Sequence, residues 1–264
     1  MDRAYKIACI GAGNVASHLM PALFNTGHEI VQIISKSVLS AQSIAEPLGA
    51  EYGGNLTKIH PDVEILFLTT PDHVLPIIIN EISWFRGIVV HTSGSLAIDN
   101  FDCMKFPYGV IYPLQTFSKH RKVDFKKVPI FIEGSDKNVV SILKDISARI
   151  SETVRELDSE KRSQLHLAAV FANNFTNYLL TSSVEILEKE GIDRSYLDSL
   201  ILETVNKALT SGPLKSQTGP AIRGDMLTIE KHLKLLSFSP ELSNIYKCLS
   251  TSIRDFYSSY EGDK

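Results

Sequence analysis

Short apolar runs punctuate residues 6–157 at intervals that leave room for helices between several of them. They are Ile7-Ala8-Cys9-Ile10, Ile30-Val31-Gln32-Ile33-Ile34, Ile65-Leu66-Phe67-Leu68, Ile88-Val89-Val90, Val110-Ile111-Tyr112 and Val128-Pro129-Ile130-Phe131-Ile132. Inside them β-branched residues dominate, and polar residues do not alternate with apolar ones. That pattern predicts strands covered on both faces, as in a parallel sheet. Alternating strands and helices imply a doubly wound α/β layer.

From Asp158 onward the periodicity changes to that of helices alone. A long helix is expected from Asp158 or Ser159 to about Lys189. A second begins near Asp193, with Leu197, Leu200, Ile201, Thr204, Val205, Ala208 and Leu209 on one stripe. Gly212-Pro213 stops it. A third starts near Asp225, and a fourth follows the cap Ser239-Pro240-Glu241. The tail Glu261-Gly262-Asp263-Lys264 reads as disordered. The expected architecture is an N-terminal Rossmann-type domain over 1–157 and an all-α domain over 158–260.

Composition narrows the class without deciding the function. The chain has 264 residues, 44% hydrophobic and 22% charged, with a net charge of −3. This is the balance of a soluble globular protein, and it lacks the basic excess of a nucleic-acid binder. Cys9, Cys103 and Cys248 are too scattered for a zinc site or a disulfide framework. No apolar run approaches the ~20 residues of a membrane span, and the polar start is unlike a signal peptide. The expectation is a cytoplasmic protein with no metal.

The most specific signal is Gly11-Ala12-Gly13-Asn14-Val15-Ala16, a GxGxxA phosphate loop between a strand and a helix. Gly11 permits the tight turn, Gly13 lets the backbone approach a pyrophosphate, and Ala16 allows close helix–strand packing. Free N–H groups of Asn14 and Val15 and the helix dipole then face the anion. Pro21 lies inside the following helix and predicts a kink or early break. The second strand ends in Ser35-Lys36-Ser37, where an NAD site usually carries an acid for the ribose 2′-hydroxyl. Two hydroxyls and a cation favour NADP(H) instead.

Ligands of open α/β sheets lie beyond the carboxyl ends of the strands. Three loops are expected there: Thr69-Thr70-Pro71-Asp72-His73, His91-Thr92-Ser93-Gly94-Ser95 and Tyr112-Pro113-Leu114-Gln115-Thr116-Phe117. Thr70, Pro71 and Ser93 are candidates for the cofactor, and Ser95 and Gln115 for the substrate. Turn chemistry alone is an alternative for each. The basic run Lys119-His120-Arg121-Lys122, with Lys126 and Lys127, reads as a solvated loop rather than an anion site. On the long helix, Arg162, His166, Asn173 and Asn177 fall within about 40° of one line at ~100° per residue. Histidine and asparagine are poor helix formers, so their alignment points to a hydrogen-bonding wall facing a cleft. A polar interhelical contact is the competing reading. Arg223, between two glycine-containing turns, is a candidate clamp for a carboxylate or phosphate.

These residues resemble the NADP-dependent oxidoreductases that join a Rossmann domain to an all-α domain of the 6-phosphogluconate-dehydrogenase type. Pyrroline-5-carboxylate reductase, β-hydroxyacid dehydrogenases, prephenate dehydrogenase and deazaflavin-dependent NADP oxidoreductases are relatives. The resemblance is greatest to NADP oxidoreductases whose helical domain is a domain of unknown function. It is carried by the phosphate loop, His91–Ser95, Tyr112–Phe117, His166–Asn174 and Thr218–Asp225. It implies hydride transfer between nicotinamide and a small carbonyl, imine or hydroxy acid in an interdomain cleft, and a homodimer formed by the helical domains. β-Hydroxyacid dehydrogenases carry Lys-x-x-x-Asn on this helix. If Asn173 is that asparagine, Ala169 stands where the lysine would be. His166 is the nearest titratable substitute, with Asn173 and Asn177 orienting the substrate; an imidazole suits proton transfer near neutral pH. A non-catalytic NADP-binding sensor is the alternative, and a nucleotide-sugar or adenylate binder a second.

Overall fold

The computed structural model describes residues 3–56, 58–101 and 106–262. Cys103 and residues 263 and 264 lie outside that range. The chain divides into two compact units, Met1–Phe175 and Thr176–Lys264.

The first unit is built on one eight-stranded sheet. In chain order it holds β1 (Lys6–Ile10), α1 (Ala16–Phe24), β2 (Glu29–Ile34), α2 (Val38–Ala45), β3 (Glu51–Gly53), β4 (Ile65–Leu68), α3 (Leu75–Glu81) and β5 (Ile88–His91). Then come β6 (Tyr108–Pro113), β7 (Ile130–Gly134), α4 (Lys137–Ile150), β8 (Val154–Glu156) and α5 (Ser159–Ala169). The strand order is β3-β2-β1-β4-β5-β6-β7-β8. All pairs are parallel except β6 with β7, which run antiparallel. The apolar runs are buried on both faces as their composition requires. Ile7 and Cys9 of β1 join a core with Leu19, Met20 and Leu23 of α1. Ala8 and Ile10, one residue out of phase, join a second core with Leu75, Ile78 and Ile79 of α3. The two-residue period of the strand serves both layers.

Pro21 does not break α1, which continues to Phe24. The helix does end within a turn of it, at nine residues. The long helix from Ser159 is interrupted by a π-helical segment, Val170–Phe175, before α6 (Thr176–Lys189) resumes. Each residue in a π turn rotates the chain by less than an α residue does. Asn173 and Asn177 therefore leave the line expected from a uniform 100° step. Arg162 leaves the polar wall as well: its side chain is only 1% exposed and pairs with Glu133.

The second unit is helical: α6, α7 (Asp198–Ser211), α8 (Pro213–Ser216), α9 (Met226–Leu235) and α10 (Pro240–Gly262). Asp225 caps α9, accepting from Thr228 N at 3.0 Å. The helix α10 runs to Gly262, so residues 261 and 262 are not a disordered tail. The apolar stripe on α7 is present, but no residue of α7 is buried within the chain. Leu200 and Leu209 are 60% and 80% exposed. No helix among the described residues is long and apolar enough to cross a membrane.

Candidate active site

The carboxyl ends of β1, β4, β5 and β6 lie side by side along one edge of the sheet. At ~4.8 Å per strand, the row from Gly11 to Tyr112 is about 14 Å across. At its β1 end opens a cleft of about 560 Å³, lined among others by Gly11, Gly13, Ser35, Lys36, Thr70 and Pro71. Gly11 has a φ of +113°, and a Cβ there would sit 2.8 Å from the carbonyl of Thr69. Both its conformation and the approach of the neighbouring strand end exclude a side chain. Gly13 has nothing within 4 Å of its Cβ position, so its backbone is open to a ligand. Thr70 Oγ1 is buried in this cleft without a partner among the described residues. A bare phosphate loop, a free cation and an orphaned hydroxyl fit the phosphates and ribose of NADP.

Two predicted residues are placed differently. Ser37 caps α2, its hydroxyl accepting from Ser40 N at 3.3 Å, and it does not line the cleft. Ser40, one turn on, does line it. Ser93 Oγ donates to Asp72 at 2.8 Å and accepts from the amides of Ser95 (3.1 Å) and Leu96 (2.9 Å). A hydroxyl has one donor and two acceptor sites, so Ser93 has none left for a ligand. It builds the loop instead. Ser95 also donates to Asp72, at 2.6 Å, which ties the β4 and β5 loops together.

Beneath that loop His91 is buried, stacked on Phe101 with centroids 5.2 Å apart. Its Nδ1 accepts from Ser93 N at 3.2 Å. Burial, aided by the nearby Arg162 cation, lowers its pKa to about 3 from 6.5. The folded protein thus holds His91 neutral while the unfolded chain would protonate it. Its contribution to stability is complete above about pH 6.5 and is lost as the pH falls toward 3. We expect a His91→Gln variant to show a shallower fall of melting temperature between pH 6.5 and 4 than the wild type. Parallel curves would show that His91 is not the group responsible.

At the β6 end of the row a second pocket, of about 430 Å³, lies between the Tyr112–Thr116 loop and the end of α5 with the π segment. Its polar lining includes Tyr112, Gln115, His166 and Asn173; Leu114 and Ala169 are among the apolar groups. Tyr112 Oη lies 3.0 Å from His166 Nδ1, and the rings meet edge to face. Burial raises the pKa of Tyr112, so it stays a phenol. Gly94 makes this contact possible: a Cβ there would sit 2.7 Å from His166 Nδ1 and 2.9 Å from Tyr112 Cζ. The glycine of the β5 loop is thus the floor on which both rings rest. Asn177 and Arg223 belong to the second unit; neither lines this pocket.

The position of His166 is fixed one turn earlier on α5. Arg162 forms an ion pair with Glu133, and its guanidinium also donates to Leu96 O at 2.6 Å. Glu133 accepts further from Ser159 N (3.0 Å) and Ser159 Oγ (2.8 Å). Nothing in the linear pattern paired Tyr112 with His166 or Glu133 with Arg162, which lie 54 and 29 residues apart. A polar residue at the carboxyl end of an apolar strand is the signal available for each.

A Rossmann phosphate loop, a cleft suited to a 2′-phosphate and a proton-bearing pair along the same sheet edge define the class: an NADP-dependent oxidoreductase. Residues 6–94 match the family described as NADP oxidoreductase, coenzyme F420-dependent, and residues 128–253 match a domain of unknown function, DUF2520. A solved structure from Bacteroides fragilis, titled a "putative NADP oxidoreductase", is 38% identical. The match covers 96% of this chain and 98% of that one, with a TM-score of 0.91. This chain belongs to that NADP oxidoreductase family, and NADP is its cofactor. The fold is shared with an imine reductase from Myxococcus stipitatus in complex with NADP+ (13% identity, TM-score 0.66, covering 98% of this chain and 94% of that one). It is also shared with a pyrroline-5-carboxylate reductase from Coxiella burnetii (13%, TM-score 0.58, covering 97% and 98%). No curated protein matches the chain.

Proposed function

We propose that the chain transfers hydride between NADP(H) and a small carbonyl, imine or hydroxy-acid compound whose reacting group lies against Tyr112 and His166. The observation that carries this reading is the 3.0 Å contact between the two side chains at the wall of a largely apolar pocket. When bound, the nicotinamide supplies or accepts the hydride. The chain must then supply a proton to the carbonyl oxygen or imine nitrogen, and take one back in the reverse direction. Tyr112, kept protonated by burial, is the donor, and His166 replenishes it. Gln115 and Asn173 offer amides that orient the substrate from the same pocket. Gly11–Val15 would hold the phosphates of the cofactor, with Ser35, Lys36 and Ser40 around its 2′-phosphate.

NADPH oxidation in the presence of a panel of ketones, keto acids and cyclic imines tests the reading. With a substrate so found, His166→Ala is expected to lose about 10²–10⁴-fold in turnover. NADPH affinity should be unchanged. Full turnover by the variant removes His166 from the chemistry. The alanine at position 169 favours a second reading, an NADP-binding sensor without turnover; oxidation of NADPH by any panel member excludes it.

The exposed stripe of α7 supports a homodimer formed by the helical unit, which would remove Leu200 and Leu209 from water. A solution mass near twice 29.3 kDa is the expected result, and a monomer at micromolar concentration would contradict it. We place the protein in the cytoplasm.

A further inference from the structure

The geometry points to a second anion site: a basic groove on the solvent face of α1 that takes a small phosphate-bearing molecule with an apolar body. The groove encloses about 770 Å³ between α1, the end of α4 and the segment from Lys119 to Lys126. That is the size of a small-molecule pocket. Its lining shares no residue with the cofactor cleft.

The basic segment is not a loose loop. His18 Nε2 lies 2.9 Å from the carbonyl of Arg121, while His18 Nδ1 lies 2.9 Å from that of Asn14. Phe117 packs on His18 at 5.2 Å and stacks on Phe125 at 5.7 Å. Lys126 Nζ donates to Arg149 O at 2.9 Å. The backbone that carries the cations of the groove is thus held on a framework before any ligand arrives, which lowers the entropic cost of binding.

Some of those cations are already used. Lys126 serves the end of α4 through Arg149 O, Arg149 pairs with Asp145 at 2.7 Å, and Lys127 reaches Asp124 at 3.9 Å. Lys119, Arg121 and Lys122 have no acidic partner among the described residues. Three unpaired cations gather on one rim in a chain whose net charge is −3. Pro21, Ala22 and Val123 line the groove with apolar surface, over the buried Phe125 and Ile150. Charge at the rim and apolar surface below match a nucleotide-like ligand better than a bare inorganic ion.

The test is calorimetric titration of the full chain, saturated with NADPH so that the cofactor cleft is filled. ADP is expected to bind with a Kd below about 1 mM, and inorganic pyrophosphate more weakly. The triple variant Lys119→Ala/Arg121→Ala/Lys122→Ala should lose at least about tenfold in ADP affinity. Arg121→Gln alone should show a smaller loss. Both variants should keep the wild-type melting temperature and NADPH affinity. Failure of the wild type to bind ADP, or equal binding by the triple variant, overturns the proposal. So does tighter binding of a short single-stranded oligonucleotide than of ADP, which would make the groove a nucleic-acid surface. Equal affinity for ADP and pyrophosphate would remove the apolar part of the ligand.

Discussion

Lys36→Glu is expected to raise the Kd for NADPH by about 10²-fold and to change that for NADH by less than about threefold. Lys36 is exposed at the end of β2 and lines the cleft with Ser35 and Ser40. NADH lacks the 2′-phosphate, so the charge at position 36 affects it little. For NADPH the substitution removes an attraction and adds a repulsion, both reduced by the solvent around an exposed side chain. Fluorescence titration of the two reduced cofactors reads the difference, which should shrink as salt is raised. An equal loss for both would mean that residue 36 acts on the loop rather than on the phosphate.

A larger cost to stability is expected inside the first unit. Glu133→Gln leaves Arg162, 1% exposed, charged and without its anion. Breaking a buried pair by removing one partner costs about 3–5 kcal/mol. At roughly 2–4 °C per kcal/mol for a chain of this size, the melting temperature should fall by about 6–20 °C. The double variant Glu133→Gln/Arg162→Met removes the stranded charge and should recover much of that loss. A fall of less than about 2 °C in the single variant would show that Ser159 and Leu96 O satisfy Arg162 without the carboxylate. Because α5 carries His166 one turn beyond Arg162, the single variant should also lower turnover more than it lowers NADPH affinity.

The sequence disclosed the elements whose signal is local. Gly11 to Ala16 identified itself because a turn glycine, a strand before and a helix after all lie within twenty residues. The caps Asp158, Asp225 and Ser239 lie at the starts of their helices for the same reason. What stayed hidden depends on contacts distant in sequence. The edge strands β3 and β8 are three residues each, Glu51-Tyr52-Gly53 and Val154-Arg155-Glu156, too short to show a period. The antiparallel course of β7 leaves no trace in its burial pattern, since both faces of a central strand are covered whichever way it runs. Arg162 read as part of a polar wall facing a cleft because it falls in line with His166; only Glu133 on a strand makes it an interior residue. Ser37 and Ser93 have hydroxyls of the right kind at the right strand ends, but backbone amides use them first.

The π segment on the long helix changes how this chain should be laid beside its relatives. A turn that closes over five residues instead of four holds one residue more, so a helix without it aligns with this one only across a gap. The asparagine matching the Lys-x-x-x-Asn pair is then either Asn173 or Asn174. Four positions before them stand Ala169 and Val170, and five before, with the extra residue counted, stand Ala168 and Ala169. Neither choice of gap restores a lysine, so its absence from this helix does not depend on where the gap is placed.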